Sequence, residues 1–183
     1  EGERSAMIVD AERHDARVPY VVGSSLLPPR TLSVEAWVAI ERTVEWGGIL
    51  SAARDMKGWS LGFRQSNFTF GVATEQDGKP EIAFSRAPDS LDWGRWYHVV
   101  GTYDGTVQCL YVNGLLEDSK SVSGDIVYPE NPDIQFGTYN QDEIEFRSQI
   151  WFHETALYDR ALSAEEIKNR FEKKKSIIPA VIH

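Results

Sequence analysis

Hydrophobic and polar residues alternate along several short stretches of this chain. Over residues 31–38, apolar side chains occupy every second position, which is the period of a strand with one buried face. The same alternation returns over residues 59–63, 68–72 and 82–84, and Pro, Gly and Asp residues separate these stretches. Many short strands without intervening helices predict an antiparallel β-sandwich and not an alternating α/β fold.

Two turn dipeptides divide the middle of the chain. Asp104-Gly105 and Asn113-Gly114 lie about one strand length apart, between runs rich in Val, Tyr and Leu. Both favour two-residue type I′ hairpins, because Asp, Asn and Gly accept positive φ at the central positions. The pattern predicts a three-stranded meander, with strands over residues 97–103, 106–112 and 115–120.

A two-residue turn at Asp104-Gly105 would also determine the register of the meander. His98 would then face Tyr111, and we interpret it as a buried core histidine with a hydrogen-bond partner. One face of the ribbon would carry Trp96, His98, Val100, Val107, Cys109 and Tyr111, and the other Tyr97, Val99, Tyr103, Leu110 and Val112. Because both faces are largely apolar, we expect the second sheet on one side and loops or a helix on the other.

One helix is predicted, near the C-terminus. Ser163 and Glu166 have the spacing of a capping box, in which each side chain accepts a hydrogen bond from the other residue's backbone N–H. Leu162 and Ile167 have the spacing of the accompanying hydrophobic staple. The lysines at 173–175 suit the negative end of this helix, so we do not interpret them as a nucleic-acid site.

Two further segments are assigned from composition. Residues 121–133 contain one Gly and two Pro and are predicted to form a long loop at the rim of the sandwich, where loops often carry function. Residues 177–182 are too apolar for a free tail. We expect them to form an edge strand, beside residues 6–9, or the start of a contact with a neighbouring domain.

Composition narrows the class of partner. The 183 residues fit one large sandwich domain, and 28 acidic against 19 basic residues give a formal net charge of −9. An acidic surface disfavours nucleic-acid backbones and anionic membranes, which bind cationic patches. No stretch approaches the roughly 20 apolar residues of a membrane-spanning helix, so we expect no membrane insertion. Cys109 is the single cysteine, which excludes a disulfide within the chain.

Four stretches of the sequence resemble one known family. Residues 96–114 contain W-Y-H-V-V-G-T-Y-D-G and L-Y-V-N-G, and residues 31–38 contain S-V-E-A-W-V. Residues 134–137 read I-Q-F-G, and residues 156–167 read A-L-Y-D-R-A-L-S-A-E-E-I. Taken in their order along the chain, these four stretches resemble the laminin-G-like jelly rolls of the concanavalin A-like lectin/glucanase superfamily, with the best match over residues 30–171.

The resemblance implies an all-β fold, a two-sheet antiparallel jelly-roll sandwich with one short C-terminal helix, over a single domain 1–183. It also implies a non-catalytic recognition module that binds carbohydrate or another extracellular ligand. We expect an accessory domain excised from a larger secreted, periplasmic or cell-surface protein, and the lack of disulfides favours a bacterial source. The alternative is a structural or protein-interaction domain that packs on a neighbouring domain and binds no sugar.

A degenerate glycoside hydrolase is a further alternative. Glucanases of this superfamily carry their carboxylates on one strand, in an E-x-D-x-x-E or E-x-D-x-E pattern, and the nearest stretch here is 142–148. Glu143 and Glu145 would share a strand face, but Arg147 and Ser148 stand where the last acid should be. Because glycoside hydrolysis needs a carboxylate pair, the sequence does not favour an enzyme.

Calcium is the candidate cofactor. It takes about six to eight oxygen ligands, mainly carboxylates and carbonyls from loops. In many relatives an Asp-Glu pair precedes the closing tyrosine strand, whereas here His153 stands in the place of the Asp and Glu154 is retained. Asn140, Asp142 and Glu154 are the candidate metal ligands, and the alternative is that this acidic loop is only solvated.

Aromatic residues on loops are the candidate ligand-binding residues. Aromatic rings stack on the apolar faces of sugars, and nearby amides bind the hydroxyl groups. We select the rings of Trp46, in a turn, and Tyr139, together with the amide of the adjacent Asn140, and the alternative is that both rings cover the core. The family pattern assigns Trp37, Trp93 and Trp96 to the core or to the approach to it.

Overall fold

The computed structural model describes residues 7–10, 16–19, 27–42, 44–139, 144–178 and 180–181, and in these ranges it forms two six-stranded antiparallel sheets. The strands are β1 (Met7–Asp10), β2 (Arg17–Pro19), β3 (Leu32–Arg42), β4 (Trp46–Ser51), β5 (Trp59–Arg64), β6 (Asn67–Gln76), β7 (Lys79–Arg86), β8 (Trp96–Tyr103), β9 (Val107–Val112), β10 (Leu115–Ser121), β11 (Asp133–Phe136) and β12 (Gln149–Tyr158). A 3-10 helix (Ile144–Phe146) precedes β12, and helix α1 (Ala164–Lys174) follows it. The predicted sandwich with one short C-terminal helix is confirmed.

Strands that follow one another in the sequence can lie in different sheets, as β3 and β4 do. The first sheet has the order β1-β12-β3-β8-β9-β10, and the second has the order β2-β11-β4-β5-β6-β7. The main core lies between the sheets, where Val34 and Val38 of β3 are buried with Phe70 and Val72 of β6. The apolar positions of the alternating pattern therefore form the inner faces of the strands.

The turn between β8 and β9 differs from the prediction. Tyr103 pairs with Gln108, so the turn contains the residues from Asp104 to Val107 and not a two-residue loop. The Asp104 carboxylate accepts hydrogen bonds from the N–H groups of Thr106 (2.8 Å) and Val107 (2.7 Å). These side-chain bonds stabilise a longer turn than the dipeptide rule expects.

The longer turn shifts the register of this strand pair by two residues. Val100, and not His98, pairs with Tyr111, so the predicted contact between His98 and Tyr111 is wrong. A shift of two residues leaves every side chain on its predicted face. Leu110 is buried between the sheets, while Val100 and Tyr111 pack against Ile167 of α1. The expected cover of one face by the second sheet and of the other by a helix is confirmed.

The next hairpin agrees with the prediction. Asn113 and Gly114 have φ values of 51° and 81°, and Val112 pairs with Leu115. Positive φ at both central positions is the requirement of a type I′ turn.

Helix α1 begins at the predicted capping box. The Ser163 hydroxyl accepts from the Glu166 N–H (3.2 Å), and the Glu166 carboxylate accepts from the Ser163 N–H (2.9 Å). Leu162 and Ile167 are buried in one cluster, as the staple predicts. The helix lies on the outer face of the first sheet.

No helix among the described residues combines the length and apolar character needed to cross a membrane.

The segment that follows α1 lies against the start of β8. Ile178 is buried in a small aromatic cluster, and the Trp96 N–H donates to the Ala180 carbonyl oxygen at 3.1 Å. Val181 forms a single bridge with Arg95. The predicted pairing of this segment with the N-terminal strand is wrong, because β1 pairs with β12. Between Ser121 and Asp133 the chain forms a loop, as predicted.

Candidate ligand-binding surface

Glycines form the floor of the outer face of the second sheet. Gly48 of β4 pairs with Gly62 of β5, and Gly71 lies on the neighbouring β6. A Cβ at Gly48 would lie 2.0 Å from the Thr138 carbonyl oxygen, and a Cβ at Gly71 would lie 2.9 Å from the ring of Phe84. The absent side chains therefore let the chain at Thr138 and the ring of Phe84 lie directly on the sheet.

Aromatic rings converge over this floor. The ring centre of Trp46 lies 5.1 Å from that of Phe84 and 6.2 Å from that of Tyr139, and Phe84 lies 6.2 Å from Tyr139. Phe146 of the 3-10 helix contacts Tyr139 edge-on at 5.7 Å. The Arg64 guanidinium lies 4.7 Å from the centre of the Trp46 ring, a cation–π distance. We call the half-buried rings of Trp46, Phe84, Tyr139 and Phe146 the aromatic surface.

Polar groups border the aromatic surface. The Ser51 hydroxyl donates to the Tyr139 carbonyl oxygen at 3.2 Å. Gln135, which pairs with Ser51, is buried, and its Oε1 atom has no hydrogen-bond partner among the residues that the structure describes. Burial raises the pKa of the Tyr139 hydroxyl, so this group stays protonated and able to donate at neutral pH. The exposed Arg64 guanidinium adds further donors.

The structure brings Trp46 and Tyr139 together, although 93 positions separate them in the sequence. Asn140, the third residue selected for ligand binding, lies outside the described residues. Phe84 and Arg64 are not among the predicted site residues, since alternation along β5 and β7 does not say which strands become neighbours. The prediction that Trp46 lies in a turn is wrong, because Trp46 is the first residue of β4 and pairs with Arg64 of β5.

Only one of the three predicted calcium ligands lies among the described residues. Asn140 and Asp142 lie outside the described residues. Glu154 lies on β12, where its carboxylate forms an ion pair with Lys174 of α1, on the opposite side of the sandwich from Tyr139. Within the described ranges, no group of three His, Cys, Asp or Glu side chains is placed to hold a metal ion. Calcium binding stays a prediction.

A buried charge network lies beneath α1. The His98 Nε2–H donates to Oε1 of Glu35 at 2.8 Å, because a carboxylate can only accept. The other oxygen of Glu35 accepts from the Tyr158 hydroxyl (2.8 Å) and from Arg170 (3.2 Å). Arg170 also donates to the Tyr158 hydroxyl at 2.8 Å. His98 is therefore a buried, hydrogen-bonded histidine, as predicted, but its partner is Glu35.

The network keeps Glu35 ionised. Burial by itself raises the pKa of Glu35, but hydrogen bonds from His98 and Tyr158 and the charge of Arg170 lower it by more, to below the ordinary value of 4.5. Both carboxylate oxygens have partners, and the four residues join β3, β8, β12 and α1. We therefore assign this network a structural role. The sequence signal that was overlooked is Glu35 itself, a charged residue placed between the apolar residues Val34 and Ala36 in the first half of β3.

A cavity of about 240 Å³ opens at the edge of the first sheet. Apolar side chains and three carboxylates line it together. The lining includes apolar side chains such as Leu91, Tyr97 and Leu115, the carboxylates of Asp89, Asp92 and Glu117, and the guanidinium of Arg95.

The three tryptophans that the family pattern assigned to the core or its approach differ in exposure. Trp96 and Trp37 are buried, as the family pattern predicts. Trp93 is 63% exposed, so it lies in the approach to β8 and not in the core. It follows Asp92 in the loop between β7 and β8, where the chain turns through Gly94 with a φ of 71°. This loop carries Trp93 outside the packed strands.

The stretch with the nearest resemblance to a glucanase motif does not form a strand where it is described. Glu145 lies in the 3-10 helix and is exposed, so the expected strand face shared with Glu143 is wrong for Glu145. Glu143 lies outside the described residues. The turn of the 3-10 helix instead directs Phe146 against Tyr139.

Comparisons with known proteins agree with this architecture. The sequence profile of the concanavalin A-like lectin/glucanases superfamily, in its laminin G form, matches residues 16–168. A search of curated protein sequences finds no match.

Solved structures with the same fold include binding domains of toxins. The binding domain of Paraclostridial Mosquitocidal Protein 1 superposes with a TM-score of 0.66 at 18% identity, covering 94% of this chain and 47% of that one. The botulinum neurotoxin serotype D binding domain gives 0.66 at 19% identity, covering 92% and 42%. The serotype G binding domain gives 0.61 at 15% identity, covering 94% and 47%. The chain thus spans less than half the length of these neighbours, and such low identity establishes the fold alone.

Proposed function

We propose that this chain, which belongs to the concanavalin A-like lectin/glucanase superfamily, is a non-catalytic recognition module that binds carbohydrate at its aromatic surface. The neighbouring solved structures are described as binding domains, which supports a binding role. We further propose that it serves as an accessory domain of a larger secreted, periplasmic or cell-surface protein. Because one fold hosts many functions, the proposed carbohydrate binding depends on the residues of the aromatic surface and not on the fold.

The observation that carries the proposal is the convergence of Trp46, Phe84 and Tyr139 on a floor of glycines. A sugar ring has an apolar C–H face, which packs on aromatic rings, and a rim of hydroxyl groups, which need donors and acceptors. The exposed Arg64 guanidinium beside Trp46 can donate to hydroxyl oxygens. The protonated Tyr139 hydroxyl can both donate to and accept from a sugar hydroxyl group. The surface therefore offers both kinds of contact to one ligand.

Asn140 and a calcium ion are further parts of the proposal. Asn140 follows Tyr139 in the chain, so its amide would supply a second set of hydrogen bonds to the ligand. A calcium ion held by Asn140 and Asp142 would add positive charge beside it, whereas Glu154, the third predicted ligand, pairs with Lys174 on the opposite side of the sandwich and would not reach the same ion. For the metal the support is the residue types alone.

The test is a glycan array probed with the purified domain, with calcium and with a chelator. The variants are Trp46→Ala and a matched control, Trp93→Ala, which removes an exposed indole outside the aromatic surface. We expect the wild type and the control to bind the same glycans, and Trp46→Ala to bind at least tenfold more weakly. Circular dichroism checks that each variant is folded. Silence of the folded wild type in both buffers, or unchanged binding by Trp46→Ala, would contradict the proposal.

Two alternatives have specific observations in their favour. Ile177 and Val181 are 55% and 44% exposed, which favours packing on a neighbouring domain. Asp89 and Glu117 share one cavity, and a carboxylate pair is what a glycoside hydrolase needs. A silent array would favour the first alternative. Release of nitrophenol from aryl glycosides, lost in Glu117→Gln, would support the second alternative.

A further inference from the structure

The cavity at the edge of the first sheet is bounded by a firmly held loop. The Leu91 N–H donates to the Ser66 carbonyl oxygen at 2.6 Å, and the Asp92 N–H donates to the Tyr97 hydroxyl at 2.8 Å. The Asn67 side chain donates to two carbonyl oxygens of the same loop, each at 3.1 Å. The lining residues are thus held in place before any ligand arrives.

The charges of the cavity are unbalanced. Arg95 pairs with Asp92 at 3.3 Å, and its guanidinium also lies 5.7 Å from the centre of the Tyr97 ring. Asp89 and Glu117 have no cationic partner among the described residues. Burial, and then the negative charge of Asp89, raise the pKa of Glu117, so the two carboxylates interact unfavourably. A cation between them would remove this repulsion.

A β-bulge brings Glu117 to the cavity. The pairing of β10 with β9 shifts between Leu116 and Asp118, so Glu117 is the additional residue of the bulge. Bulges commonly re-aim a side chain and end regular pairing. Here Glu117 lines the cavity together with Leu115.

The apolar lining indicates what kind of cation fits. Leu91, Tyr97 and Leu115 offer hydrocarbon and ring contacts, whereas a metal ion needs a shell of oxygen ligands. Lysine and arginine combine a charged end with a hydrocarbon stem that packs on such surfaces. Leu115, which lines the cavity, is 64% exposed, and Trp93, which lies between the lining residues Asp92 and Arg95 in the chain, is 63% exposed. In a partner protein, the residues on either side of the lysine or arginine can contact this apolar rim. A free amine has no such flanking residues.

We propose that this cavity binds a lysine or arginine side chain of a partner protein. The cationic end lies between Asp89 and Glu117, and the stem packs on Leu115 and Tyr97. Apolar residues beside it in the partner contact Trp93. The surface is separate from the aromatic surface, so the two proposals stand or fall independently.

Amide chemical shifts of the isotope-labelled domain test the proposal with three peptides. The first is acetyl-Ser-Leu-Lys-Leu-Ser-amide, and the second replaces Lys by norleucine, which keeps the stem without the charge. The third replaces both Leu by Ser. We expect the lysine peptide to shift the amides around Leu115 and Tyr97 and to bind at least tenfold more tightly than the norleucine peptide. The peptide without Leu should bind more weakly than the first.

Two double variants complete the design. Asp89→Asn/Glu117→Gln should reduce the lysine peptide to the affinity of the norleucine peptide. The control Glu75→Gln/Glu81→Gln removes two exposed carboxylates from the β6–β7 hairpin and should leave the affinity unchanged. Equal affinity of the lysine and norleucine peptides for the wild type would overturn the proposal, whatever the variants do. The same conclusion would follow if a folded Asp89→Asn/Glu117→Gln variant bound the lysine peptide as the wild type does.

Discussion

The Glu35 network allows a quantitative test of how α1 is joined to the first sheet. The substitution Glu35→Gln keeps the size of the side chain but places an amide N–H₂ against the donors of His98, Tyr158 and Arg170. The Glu35 side chain is only 7% exposed, and breaking a buried ion pair costs about 3–5 kcal/mol. Arg170 is 37% exposed, so water screens its share and we expect the lower end, about 3 kcal/mol.

Urea and thermal unfolding of both proteins measure this loss. A cost of about 3 kcal/mol corresponds to a fall in Tm of roughly 6–12 °C for a domain of this size. The loss should also depend on pH, because the pKa of Glu35 is lowered by folding from its ordinary value of 4.5. A lowered pKa stabilises the fold above the unfolded value, and this contribution disappears as pH falls through the folded value. The difference between the two proteins should be full at pH 7 and should shrink below pH 4.5.

The matched control is Glu172→Gln on the same helix. Glu172 pairs with Lys175 at 2.6 Å, but the two side chains are 46% and 48% exposed, so we expect a loss below about 1 kcal/mol. A Glu35→Gln protein within about 1 kcal/mol of the wild type would refute the reasoning. A loss that stays constant from acid to neutral pH would show that shape and not charge is responsible.

Two further substitutions test the floor of the aromatic surface and the helix cap. Gly48→Ala places a Cβ 2.0 Å from the Thr138 carbonyl oxygen, so we expect a loss of about 1–3 kcal/mol in urea unfolding and weaker glycan binding on the array. An unchanged urea midpoint would mean that the chain at Thr138 moves aside freely. Ser163→Ala removes one half of the capping box and should cost about 1 kcal/mol, or roughly 2–4 °C in Tm. No change in Tm would indicate that tertiary packing alone holds the start of α1.

The surfaces that could bind ligands were only partly predictable. Trp46 and Tyr139 were selected as loop aromatics, but their contact depends on the order of strands in the second sheet. The exposure of Trp93 was missed, because a family pattern assigns a residue type to the core or the approach to it without locating the loop that carries it. The pairing of Asp89 with Glu117 in one cavity joins a loop and a β-bulge, which alternation along either segment does not reveal.

The sequence by itself determined the features that depend on near neighbours. Alternation selected the inner faces of the strands, Asn113-Gly114 selected a hairpin, and Ser163 with Glu166 selected the start of α1, because each depends on residues a few positions apart. Tertiary structure decided the partner of His98, since Glu35 lies 63 positions away and only the pairing of β3 with β8 brings them together. Long-range strand order likewise decided which aromatic rings meet. A chain sets its own local geometry, but contacts between distant segments depend on how the whole core is packed.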